Sequence, residues 1–188
     1  MKLTDRDIRL LNFLKEYKCA NTGTIERLFF KSKQTAQKRL KILTDNKKIK
    51  KVRENINTEY TYYINKKPRN IPHTTAISEV YSYLSTSDDI KLIKAKREYE
   101  IKYRNKSIRA DLMAVVKVND KIIPLLIEID LNKTYNNKYT EYISNSYYRQ
   151  LFPIKPIIIS ISKYKPKSSV KIIHFKNVEE FSKNIAHF

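Results

Sequence analysis

Residues 32–64 read SKQTAQKRLKILTDNKKIKKVRENINTEYTYYI, and a change of period inside this stretch decides the fold of the amino-terminal third. Ser32 stands at an N-cap position, and Ala36, Leu40 and Leu43 then recur at helical spacing from Lys33 to about Asp45. The opposite face carries Lys33, Gln34, Gln37, Lys38 and Lys41, with no acid before Asp45. Beyond that helix the period drops to two. Ile49 to Glu54 and Tyr60 to Ile64 are β-rich runs joined by the polar stretch Asn55 to Glu59, the pattern of a hairpin.

Two further helices precede this stretch. Thr4 and Asp7 have the spacing of a helix start, and Ile8, Leu10, Leu11, Leu14 and Tyr17 continue it to about residue 18. Asn21, Thr22 and the single glycine, Gly23, form a break before a short helix with Ile25, Leu28 and Phe29. Three short helices and a hairpin predict a winged helix-turn-helix over residues 1–67. In such a module the third helix enters the major groove, its amino-terminal turn nearest the base edges, and the hairpin wing lies along the phosphates. Ser32 and Thr35 belong to that first turn. Gln34 and Gln37 have the amide groups that pair with adenine in two-point fashion. Lys33, Lys38 and Lys41 from the helix, and Lys50, Lys51 and Arg53 from the wing, would neutralise phosphates. Tyr60, Tyr62 and Tyr63 are wing rings within reach of the sugar-phosphate backbone.

Charge supports that reading through its placement. The 188-residue chain holds 39 Lys+Arg against 19 Asp+Glu, a net of +20, of which +11 falls on residues 1–67. Such an excess suits a polyanion, either nucleic acid or an anionic membrane. A habit of using Lys, Asn, Ile and Tyr throughout would raise the charge without any ligand, but it would not clear one helix face of acids; that face favours double-stranded DNA. No apolar run approaches the roughly 18 residues of a membrane span, and residues 1–20 are charged and helical rather than signal-like, so the expectation is a soluble cytoplasmic protein with no membrane partner. The lone Cys19 excludes a disulfide framework and a cysteine-based zinc site, and reads as a small buried residue. His73, His174 and His187 are too scattered for a metal set.

Lys66 to Pro72 read as connecting chain, which places a linker at 68–73 and a second domain at 74–188. Ile77, Val80, Tyr81 and Leu84 form a helix face beginning near Thr74 or Thr75. Strands are predicted at about 91–101, 107–118 and 121–130, a helix over 133 to about 149, and strands at Pro156–Ser162 and Lys171–Phe175. Asn177 caps a last helix with Val178, Phe181 and Ile185. This order, αβββαβ plus a terminal strand and helix, suggests an α+β domain with an antiparallel meander and one crossover strand. Asp111 opens the second strand of the meander and Glu128 closes the third. Two carboxylates on neighbouring strands are able to hold Mg²⁺ or Mn²⁺ over a phosphodiester.

The element order and the position of Asp111 and Glu128 resemble the PD-(D/E)XK restriction-endonuclease-like fold. Asp130 stands where such nucleases usually carry Lys, which points to a degenerate domain kept for binding, without enzymatic activity and without a cofactor. As an ordered set, His73 to Val80, Arg109-Ala110-Asp111, and Ile127-Glu128-Ile129-Asp130 with Lys138 and Tyr142 downstream resemble the replication-relaxation family of plasmid and integrative-element proteins. That resemblance implies a sequence-specific DNA-binding accessory protein in plasmid replication or conjugative mobilisation, working beside a relaxase or replication protein. Two alternatives stay open. One is a metal-dependent endonuclease in which Asp111 and Glu128 hold the metal while Asp130 and Lys133 or Lys138 complete the catalytic set. The other is a winged-helix repressor acting as a homodimer on an inverted repeat.

Overall fold

The structure, a computed structural model, describes residues 1–131 and 138–185. These residues form an α+β chain with six α-helices, a three-stranded sheet and a mixed five-stranded sheet. Two compact units emerge, Met1–Ser82 and Tyr83–Phe188. The division falls inside a helix, whereas the sequence places a linker at 68–73.

The first unit begins with α1 (Asp5–Tyr17), closed at its start by a capping box. The Thr4 hydroxyl accepts from the Asp7 amide at 3.3 Å and the Asp7 carboxylate accepts from the Thr4 amide at 2.7 Å. Leu10, Phe13, Leu14 and Tyr17 form the buried stripe, and Ile8, expected in it, is 47% exposed. A short strand β1 (Cys19–Asn21) follows, and Asn21 caps α2 (Thr22–Phe29), so Gly23 lies within that helix rather than in a break before it. Ser32 caps α3 (Lys33–Asp45), which buries Ala36, Leu40 and Leu43 as its spacing predicts. The hairpin is shorter than expected, β2 (Lys50–Val52) with β3 (Thr61–Tyr63), and β1 adds a third antiparallel strand on the other side of β3. Cys19 pairs with Tyr63 in that ladder and is buried, its Sγ 3.5 Å from the Thr75 hydroxyl.

Helix α4 (Ile71–Thr86) starts three residues earlier than the apolar spacing predicts, with Pro72 in its first turn where a missing N–H costs nothing. Its first part packs in the first unit: Tyr81 lies 4.5 Å from the Tyr17 ring and 5.6 Å from that of Phe13.

The second unit is built on β4 (Lys91–Tyr103), β5 (Lys106–Val118), β6 (Lys121–Asp130), β7 (Ile157–Ser162) and β8 (Ile172–Phe175), in that spatial order. The first three form an antiparallel meander; β7 runs parallel to β6, and β8 parallel to β7. Pro124 is tolerated in β6 because pairing with β7 begins only at Leu125. The helix expected over 133–149 is α5 (Thr140–Ser144) followed by a single 3-10 turn (Tyr147–Gln150). Between the two, Ser146 turns left-handed at φ 57°, which ends α5; residues 132–137 lie outside the described set. Tyr139, Tyr142, Ile143, Tyr148 and Phe152 pack on Met113, Leu126 and Ile158 of the sheet. Asn177 caps the last helix, α6 (Val178–Lys183). With one glycine in the chain, tight turns fall on other residues, and seven described non-glycine residues have positive φ, Asn119 and Asp120 of the β5–β6 turn among them.

Candidate nucleic-acid interface and carboxylate cluster

The polar face of α3 is exposed at Lys33, Gln34, Gln37, Lys38 and Lys41, and so are the capping pair Ser32 and Thr35. The Ser32 hydroxyl accepts from the Thr35 amide at 3.4 Å, which fixes the first turn. Two of the three cations already have acids beside them. Lys33 Nζ lies 2.5 Å from Glu59 and Lys41 Nζ 2.7 Å from Asp45, leaving Lys38 as the α3 lysine with no ion pair among the described residues. Glu59 also accepts from the Gly23 amide at 3.0 Å, so it ties the base of the hairpin to α2 and α3. Burial alone would raise its carboxyl, yet the hydrogen bonds from Lys33 and Gly23 hold it below the ordinary value. Exposed pairs of this kind are worth little, so a phosphate competes with them easily.

The hairpin presents Lys50, Lys51 and Arg53, all exposed. Lys50 donates to the Asn65 carbonyl at 3.2 Å and Arg53 to that of Thr58 at 2.6 Å, which braces the loop. Lys51 and Arg53 flank Tyr60, 4.4 Å and 5.0 Å from its ring centre. Tyr60, just before β3, is 36% exposed, but Tyr62, expected with it at the surface, is buried within that strand. What fixes the orientation of α3 is a contact that sequence spacing does not show. Asp7 is fully buried and takes hydrogen bonds from Arg39 Nε at 2.9 Å and from Arg39 Nη2 on its other oxygen, pinning α3 to the start of α1.

In the second unit the carboxylates do come together. The pair Leu112 and Ile127 sets Asp111 beside Glu128, and Asp111 Oδ2 accepts from the Ile129 amide at 2.8 Å. Glu128 is buried; one oxygen lies 2.7 Å from Lys138 Nζ and the other accepts from the Tyr139 hydroxyl. Lys138 also donates to the Arg109 carbonyl at 2.6 Å. Burial first, and the Asp111 charge second, push the Glu128 carboxyl up to about 7, against the pull of Lys138 and Tyr139. Asp130 is half-buried, on the same face of β6 one pleat further on. Lys133 lies outside the described residues, as does His187.

The sequence gives little notice of three neighbours of this cluster. Glu128 is in register with Ser160 of β7, and Ser160 with His174 of β8, so a polar row crosses three parallel strands. The Ser160 and Ser162 hydroxyls are 3.0 Å apart, and His174 Nε2 lies 2.8 Å from the Ser162 carbonyl. The alternation Ile-Ser-Ile-Ser in an otherwise apolar strand is the signal for them. Of the two adjacent carboxylates, Glu128 is engaged by an ammonium and a phenol. Among the described residues no group of three His, Cys, Asp or Glu is arranged to hold a metal.

Among the described residues no helix is long and apolar enough to cross a membrane. No family model matches the chain and no curated protein matches it, so the resemblance to the replication-relaxation family rests on the sequence motifs alone. Among solved structures the chain is similar to the crystal structure of protein VC1899 from Vibrio cholerae, at 13% identity and a TM-score of 0.42 over 80% of the present chain. It spans 41% of the length of that protein.

Proposed function

We propose that the chain is a sequence-specific double-stranded DNA-binding protein whose first unit is a winged helix, with α3 entering the major groove and the β2–β3 hairpin following the backbone. The observation that carries this reading is the α3 face itself: Gln34, Gln37 and Lys38 are exposed side by side on a helix whose other face is fully buried. Arg39, the next residue in sequence, is turned inward to Asp7 and orients the helix. The setting implied by the sequence motifs is plasmid replication or mobilisation, beside a relaxase or replication protein. On this reading the second unit is a PD-(D/E)XK-like scaffold whose acids serve structure, since Glu128 is engaged by Lys138 and Tyr139 and Asp111 holds a backbone amide. The nuclease reading keeps one supporting observation, the adjacency of Asp111 and Glu128, and requires Mg²⁺- or Mn²⁺-dependent cutting that Asp111→Ala abolishes.

Binding to a duplex selected from a random pool, measured in moderate salt, tests the proposal. Gln34→Ala and Lys38→Ala should each weaken it by about 1–3 kcal/mol, Gln34→Ala with relaxed sequence preference and Lys38→Ala uniformly across sequences. Lys163→Ala and Lys167→Ala should leave it nearly unchanged. Affinity no greater than that of an equally charged control protein would refute it.

A further inference from the structure

At the far end of β6 from the carboxylates, the sheet face carries an apolar groove of about 550 Å³. Met113, Val115 and Pro124 come from the sheet, and Phe152 and Pro153 from the chain after the 3-10 turn. Its rim is unusually apolar: Ile122 is 54% exposed, Leu151 45% and Ile154 47%. Neither Asp111 nor Glu128 lines the groove, so it is distinct from the carboxylate cluster. Exposed apolar side chains gathered round a concave floor mark an interaction site rather than ordinary surface scatter.

The charge around the groove says what kind of partner fits. Lys94 lines it, and Lys96 Nζ sits 5.6 Å from the ring of Tyr99, another lining residue. The one acid in the lining, Asp120, is paired with Lys117 at 2.7 Å. A second copy of the chain would bring the same lysines and a further +20 of charge to this rim. We propose that the groove docks an acidic amphipathic segment of a partner protein, its apolar side chains seated on Met113, Val115 and Phe152 and its carboxylates facing Lys94 and Lys96.

The full chain and a labelled peptide of about sixteen residues, with Leu and Phe at helical i, i+3, i+4, i+7 spacing and Glu between them, provide the test by fluorescence anisotropy. Saturable binding is expected. It should weaken about tenfold with Ile154→Asp and with Lys94→Glu, both at exposed positions, and remain intact with Lys167→Glu, the same charge change elsewhere. A peptide of identical composition in scrambled order should bind no better than the Ile154→Asp variant binds the parent. Equal binding of the scrambled peptide, or equal loss with Lys167→Glu, would reduce the interaction to bulk charge and overturn the proposal. So would a dimer in sedimentation that Ile154→Asp dissolves while the peptide fails to bind. Loss of DNA binding by the α3 variants leaves these outcomes unaffected.

Discussion

Replacing Asp7 by Asn removes a charge that lies out of contact with solvent and leaves the Arg39 guanidinium with no carboxylate to receive it. Four hydrogen bonds converge on this carboxylate, two from Arg39 and one each from the Thr4 amide and hydroxyl. Breaking a buried pair from one side costs about 3–5 kcal/mol. The Arg39 side chain is 19% exposed, so water relieves it in part, and about 3 kcal/mol is the expected loss. Asn keeps an oxygen for the Thr4 groups; Asp7→Ala loses the capping box as well and should cost about 1 kcal/mol more. The hydrogen bond from Arg39 is the main reason that the Asp7 carboxyl lies well below the usual range despite its burial. A depressed folded-state value means that the stabilisation is complete above the ordinary carboxylate pKa and fades as pH falls below it; Asp7→Asn should lack that acid-side decline. Because the chain has two compact units, a single melting curve mixes them, and amide hydrogen exchange of α1 and α3 is the better assay. Protection in both helices should fall together in the variant. Unchanged α3 protection, or a coupling below about 0.5 kcal/mol in a cycle with Arg39→Met, would refute the claim that this pair sets the position of α3.

Two other predictions concern the second unit. The native state holds the Glu128 proton more tightly than the unfolded chain does, so stability should be greatest below the ordinary carboxylate pKa and decline by up to about 3 kcal/mol as pH rises towards about 7. Glu128→Gln should flatten that decline in amide hydrogen exchange of β5 and β6 at pH 5 and 8, corrected for the intrinsic exchange rate, and a flat wild-type profile would contradict the assignment. The Tyr142 hydroxyl is buried with no hydrogen-bond partner among the described residues, so Tyr142→Phe should stabilise the unit by about 1 kcal/mol in urea denaturation; destabilisation would show that the hydroxyl is satisfied.

Helix starts were legible because caps are local: Thr4, Ser32 and Asn177 each act within three residues of themselves. The long strands of the meander were legible from continuous β-rich runs. Strand β1 was not, because three residues give no alternation and its only reason to be extended is pairing with β3, forty residues away. The helix expected over 133–149 has the right tyrosine spacing, but Ser146 ends α5 by a backbone choice that spacing cannot encode. At the carboxylate cluster, the sequence identifies Asp111, Glu128 and Lys138 and leaves their use undecided. The folded chain adds their neighbours: Lys138 and Tyr139 close on Glu128, and the parallel register of β6, β7 and β8 brings in Ser160 and His174. The Asp7 to Arg39 contact and the groove under Leu151 join segments with no shared pattern, so only the folded chain shows them.

The scarcity of glycine has a consequence for the unfolded chain. Each position where another residue replaces glycine narrows the range of conformations open to the denatured polypeptide, by about 0.4–1 kcal/mol of entropy. Lys18, Arg104, Asn119 and the other left-handed positions oppose that gain with strain of about 1–2 kcal/mol each in the native turns. Two opposed effects therefore meet in the same few residues. A glycine at Arg104 or Lys18 would relax the native turn and loosen the unfolded ensemble together, so the balance of the two, rather than either alone, determines how much conformational freedom this sequence gives up when it folds.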